Sequence, residues 1–119
     1  MKMTRIIPML PVASMPDSVE FYQKLGFSIE QRNEQWRWAM LRLDECRLMV
    51  DESINAHPAL PRMAVLYLYP DDIAAFHRQL RANGLQVPDL EKSFYGMMEF
   101  RMQDPDGNRL WIGQQSSPD

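Results

Sequence analysis

The chain has 119 residues, a formal net charge of −3, 24% charged and 45% hydrophobic residues, and one cysteine. That length and mixture fit one globular domain spanning 1–119. They exclude an internal disulfide, a cysteine-based zinc site and a membrane-spanning apolar run, and no basic cluster with interleaved aromatics offers a nucleic-acid groove.

The N-terminal "MKMTRIIPML" has neither a long apolar centre nor a small-residue cleavage site, so no secretory signal is read there and a cytoplasmic protein is expected. "TRIIPML" opens the order of elements as a strand over 5–11. Ser14 then offers a helix N-cap and Gly26 a stop, which brackets a helix carrying "DSVEFYQKL" with Phe21 and Leu25 on one face. Three extended segments follow at 27–33, 36–43 and 46–52, and "ESINAHPALP" at 52–61 reads as a joint.

The same order then returns. A strand is expected over 63–69, a helix from about Asp71 to the residue before Gly84 with Phe76 and Leu80 on one face, and strands at 86–89, 97–103 and 108–114. "DSVEFYQKL" and "DIAAFHRQL" share Asp, Phe and Leu at the same spacing, and "DECRLMV" matches "DGNRLWI" in its Asp-x-x-Arg-Leu skeleton. The chain is therefore read as α+β, with one strand-helix-three-strand module at 4–52, a joint at 53–61 and a second module at 62–115.

Alternation assigns the faces. Ile7, Met9, Leu41, Leu43, Leu48, Val50, Leu66, Leu68, Phe100, Met102, Leu110 and Ile112 should face the helices. The opposite face then carries Ile6, Pro8, Leu10, Trp36, Trp38, Met40, Arg42, Arg47, Met49 and Asp51 in the first half. In the second half it carries Met63, Val65, Tyr67, Tyr69, Glu99, Arg101, Gln103, Arg109, Trp111 and Gly113. Faces this aromatic mark a ligand site, or else a second core or dimer seam filled by Trp36, Trp38 and Trp111.

The paired modules, "SVEFYQKLGF" at 18–27 and "DPDGNRLWI" at 104–112 resemble the vicinal oxygen chelate superfamily, which includes glyoxalases, extradiol dioxygenases and bleomycin-binding proteins. The resemblance covers roughly residues 4–114. It implies mixed sheets forming a U-shaped cleft, paired in a homodimer. Metal-using members would place ligands at four strand positions, which correspond in this chain to Pro8, Met49, Val65 and Trp111. Pro and Val have no donor atom, an indole N–H is no ligand, and a thioether is too soft for such a site. His57 in the joint and His77 on the second helix are read as surface histidines. Cys46, at a strand start, shows no partner base.

The chain is thus most similar to the non-metal, bleomycin-binding type, through its Pro-containing first strand, "FYQKLGF", the "HPAL" joint and "DECRLMV". That likeness implies a non-catalytic protein that sequesters a planar or basic small molecule such as an antibiotic, without cofactor or metal. The residues assigned to the ligand are Trp38, Met49, Asp51, Tyr67, Glu99, Arg101 and Trp111. Two other readings remain open: a glyoxalase- or dioxygenase-type enzyme with a non-standard metal site, and a dimeric interaction module with no small ligand. No membrane or nucleic-acid partner is expected.

Overall fold

A computed structural model describes residues 1–55, 60 and 64–115. The chain divides into two compact units, Met1–Leu60 and Pro61–Asp119. Both repeat one plan. The first contains β1 (Met9–Pro11), α1 (Met15–Leu25), β2 (Ser28–Asn33), β3 (Trp38–Leu43) and β4 (Cys46–Asp51). The second contains β5 (Val65–Leu68), α2 (Ile73–Ala82), β6 (Glu91–Lys92), β7 (Met97–Gln103) and β8 (Arg109–Gln115). Each unit has one four-stranded mixed sheet, ordered β1-β4-β3-β2 and β5-β8-β7-β6. The first strand of each runs parallel to the last, and the other neighbours are antiparallel. This is the expected α+β architecture of two βαβββ modules.

Local chemistry fixes the helices. Ser14 Oγ accepts the Asp17 N–H at 3.2 Å, and Asp72 Oδ1 accepts the Ala75 N–H at 3.0 Å, so each helix starts on a side-chain cap. The N-cap of α2 is Asp72, one residue after the position read from sequence. Each helix start is also held by the end of its own sheet. Glu52 Oε2 accepts the Met15 N–H at 3.0 Å, and Gln114 Oε1 accepts the Ile73 N–H at 2.7 Å. Gly26, at φ 121°, ends α1 in a backbone conformation that L side chains rarely adopt.

The cores lie between each helix and one face of its sheet. In the first unit Met15, Val19, Tyr22 and Leu25 pack with Leu10, Val12, Ala39, Leu41 and Val50. Tyr22 is fully buried, with T-shaped contacts to Phe21 and Phe27, so Tyr22 and not Phe21 carries the core face of α1. In the second unit Ile73, Leu80, Phe100, Leu110 and Ile112 are buried. Each such side chain contributes about 1.5–3 kcal/mol when fully removed from water.

Several expectations are corrected. The first strand is Met9–Pro11, not 5–11, and its faces are the reverse of those expected. Leu10 pairs with buried Val50 and points to the core, whereas Met9 pairs with Met49 on the opposite face. The strand is bounded by Pro8 and ends in Pro11, neither of which has an N–H for a ladder, and it occupies a sheet edge. Pro8 lies just ahead of the strand, and its carbonyl accepts the Met49 N–H at 2.8 Å.

No strand forms at 86–89. The carbonyls there are taken by α2 side chains: Pro88 O lies 2.7 Å from His77 Nε2, and Val87 O accepts from Arg81 Nη2 at 3.0 Å. The sixth strand is instead the short Glu91–Lys92. His77, expected in solvent, is 7% exposed and meets the Phe100 ring edge to face at 5.0 Å. Trp36 lies in a turn ahead of β3, its backbone N–H donating to Asn33 Oδ1 at 3.0 Å. The last strand runs one residue later than expected, at Arg109–Gln115. His57, Met63 and most of the joint fall outside the described residues.

Candidate ligand-binding faces

The face of each sheet turned away from its helix carries the candidate residues, and each face is built by strand register. On the first sheet, Met9, Met49 and Met40 are cross-strand neighbours on β1, β4 and β3. The next row is Pro11, Asp51 and Trp38. The register therefore brings Trp38, Met49 and Asp51 together on one face. A depression of about 460 Å³ opens there, lined by Met9, Trp36, Arg37, Trp38, Asp51 and Ser53. The Trp36 and Trp38 rings are 6.5 Å apart at 60°, and Trp36 is 66% exposed.

Asp51 is buried to 8% exposure, and its Oδ1 accepts from both the N–H and the hydroxyl of Ser53, at 2.7 and 2.6 Å. The carboxylate is thereby fixed in orientation at the floor of the depression. The other end of this face is ionic. A register shift between Ile29 and Gln31 turns Glu30 so that Arg47 donates to it twice, at 2.8 and 3.1 Å. That hydrogen bond, more than the charges of Arg47 and Arg42, holds the Glu30 carboxyl below its usual pKa.

On the second sheet, Tyr67 of β5, Trp111 of β8 and Arg101 of β7 form one cross-strand row. The Arg101 guanidinium carbon lies 4.1 Å from the centre of a Trp111 ring, and Tyr67 meets Trp111 at 6.2 Å and 79°. Tyr67 in turn stacks on Tyr69 at 4.6 Å and 13°. The neighbouring row is Gly113, Glu99 and Glu91. Glu99 Oε2 accepts the Tyr95 hydroxyl at 2.6 Å, and Glu99 Oε1 lies 4.0 Å from Arg101 Nη2. The Tyr67 phenol has its pKa raised, first by lost solvation and then by Tyr95, Glu99 and Tyr69, against the opposing charge of Arg101.

Tyr67, Glu99, Arg101 and Trp111 thus share one face, as alternation indicated. Sequence reasoning missed Met9, displaced by the inverted face of β1, and Ser53, which orients Asp51. Gly113 lies on this face as alternation indicated, and its bare Cα leaves room for Tyr67, a contact the sequence did not show. Among the described residues no three His, Cys, Asp or Glu side chains come together as a metal site, and no helix is long and apolar enough to cross a membrane.

Residues 5–112 match the family model described as the Glyoxalase/Bleomycin resistance protein/Dioxygenase superfamily. The chain is 31% identical over 120 aligned positions to a bleomycin resistance protein of Klebsiella pneumoniae, across 90% of this chain and 89% of that one. Among solved structures it is similar to a bleomycin-binding protein complexed with bleomycin, with a TM-score of 0.77, 27% identity and coverage of 96% and 100% of the two chains. A bleomycin resistance determinant encoded on the transposon Tn5 gives the same TM-score and identity, with 97% and 100% covered. A glyoxalase / bleomycin resistance protein from Catenulispora acidiphila aligns at a TM-score of 0.75 and 20% identity over 96% and 98% of the chains, a likeness of fold alone.

Proposed function

The chain belongs to the Glyoxalase/Bleomycin resistance protein/Dioxygenase superfamily, and on that footing we propose that it is a non-catalytic binding protein that sequesters a planar or basic small molecule, with bleomycin the first candidate. The relatives named for bleomycin binding or resistance support the ligand class. The single observation that carries the reading within this chain is the ring-bearing face that each sheet turns away from its helix.

Trp38, Met49 and Asp51 of the first sheet and Tyr67, Glu99, Arg101 and Trp111 of the second are assigned to the ligand. The indoles supply flat apolar surface, on which stacking contributes about 0.5–1.5 kcal/mol beyond area burial. Asp51, already oriented by Ser53, offers its carboxylate to a basic group. Met49 places a soft thioether and Trp111 a ring where metal-using relatives would need oxygen or nitrogen ligands. The protein is further proposed to pair with a second copy of itself. Val65, Tyr67 and Tyr69 are 43%, 38% and 69% exposed, and symmetric pairing is the commonest way to cover such a surface.

Expression in a bleomycin-sensitive bacterium tests the proposal. Binding without chemistry should raise the tolerated bleomycin concentration in proportion to the amount of protein made, and recovered bleomycin should be unmodified. Abundant folded protein with no change in tolerance would count against it, and chemically altered bleomycin would make the protein an enzyme.

A further inference from the structure

We infer that Arg101 makes the aromatic face of the second unit selective for planar compounds that carry a negative charge. The inference rests on the binding reading above and specifies the group that this one face takes, a planar part carrying negative charge, while a basic group is left to Asp51 of the first sheet. The face of an indole attracts cations, and it would ordinarily welcome a ligand ammonium. Here that position is filled by the chain's own cation, with the Arg101 guanidinium carbon 4.1 Å from the ring centre. A positively charged ligand must displace the guanidinium or settle beside a like charge.

Arg101 is held in place from two sides. Antiparallel pairing sets it directly beside Trp111, and Glu99 Oε1 lies 4.0 Å from its Nη2. Glu99 is itself fixed by the Tyr95 hydroxyl at 2.6 Å. The two charges are not equally presented. The Arg101 side chain is 55% exposed and that of Glu99 only 18%, so an arriving molecule meets the positive group first.

Arg109, also exposed, precedes Trp111 by two residues on the same face of β8 and adds a second cation. On its β6 side Arg101 shares a depression with Asp89, Glu91 and Glu99, of which Asp89 is engaged by Arg81 at 2.8 Å. A guanidinium also has a planar outer surface and in-plane N–H donors. A ligand ring can stack on it while a carboxylate or sulfonate accepts its hydrogen bonds. Tyr67, meeting Trp111 at 79°, stands on the other side of the indole.

Two probes of matched shape and opposite charge, naphthoate and naphthylmethylammonium, test this by two-dimensional NMR on the full-length protein at fixed ionic strength. The Trp111 indole N–H is identified by its loss in Trp111→Phe. Naphthoate should shift that signal and bind about tenfold more tightly than the ammonium probe, the scale of one charge-assisted contact. Arg101→Gln should abolish the preference by weakening naphthoate and strengthening the ammonium probe, and Arg101→Lys should retain part of it. Equal affinities in the wild type, an unchanged preference in Arg101→Gln, or no shift of the Trp111 signal with either probe would each overturn the inference. A parallel bleomycin titration separates the two claims. Bleomycin binding without a charge preference removes only the role of Arg101, and a naphthoate preference without bleomycin binding removes only bleomycin.

Discussion

The phenol oxygen of Tyr67 occupies the space that a side chain at Gly113 would need, 3.0 Å from where its Cβ would stand. The Met97 methyl and a Tyr67 ring carbon lie 3.1 Å from the same point. Gly113→Ala should therefore push Tyr67 out of its position beside Trp111 while leaving the backbone fold intact, at a cost of about 1–3 kcal/mol. Urea denaturation checks this. Most of the penalty should vanish when the substitution is made in a Tyr67→Ala background, and an undiminished penalty there would place the strain elsewhere.

Tyr67 also gives a pH signature. Its phenol pKa is raised above the ordinary value of 10.0, chiefly because the phenolate would lose solvation. The folded chain therefore keeps this proton where the unfolded chain has begun to lose it. The contribution is fully present below the ordinary phenol pKa and is lost as pH rises through that value towards the raised one. Stability should fall with rising pH across that window more steeply in the wild type than in Tyr67→Phe. Melts from neutral to strongly alkaline pH measure the difference, and parallel curves would contradict the raised pKa.

His77 links α2 to the segment at 86–89 through its contact with the Pro88 carbonyl. His77→Leu removes the donor and leaves that carbonyl without this partner, which should cost about 1–3 kcal/mol. Hydrogen exchange in α2 should accelerate along with the loss of global stability. A variant as stable as the wild type would show that packing against Phe100, not the hydrogen bond, holds His77 in place.

Pairing with a second copy is directly measurable. Sedimentation at low micromolar concentration should give about twice the 14.0 kDa chain mass. The paired surface should bury on the order of 2,000 Å² or more in total. A monomer at that concentration would mean that the exposed rings of these faces stay in water.

Much of this architecture was legible because the relevant signals are local. Ser14 and Gly26 announce the ends of α1, and the two Asp-x-x-Arg-Leu words locate β4 and β8. Clean alternation around Trp111, between buried Leu110 and Ile112, assigns its face without any knowledge of the partners. The same reasoning fails on β1, because Ile6, Ile7, Pro8, Met9 and Leu10 are apolar at every step and carry no period. Only pairing with β4 decides that Leu10 faces inward.

The segment at 86–89 resists for another reason. Its carbonyls are satisfied by His77 and Arg81 on a helix, and nothing in the local sequence distinguishes that from a strand ladder. The contact of Arg101 with Trp111 needs the β7–β8 register, which composition does not reveal. Asp51 was visible as an acid on the right face, but its fixing by Ser53 depends on a turn beyond the strand.

In the proposed function the uncovered sheet faces bind a planar small molecule, with Trp111 as part of the wall. Isothermal titration of bleomycin into the wild type and Trp111→Ala, with a melt of the variant, tests it most directly. The wild type should bind saturably, and the variant should bind about tenfold or more weakly, a loss of about 1.4 kcal/mol. The variant should lose less stability than Phe100→Ala, for which core truncation costs about 3–5 kcal/mol. No binding by the wild type, or equal binding by a folded Trp111→Ala protein, would contradict the account.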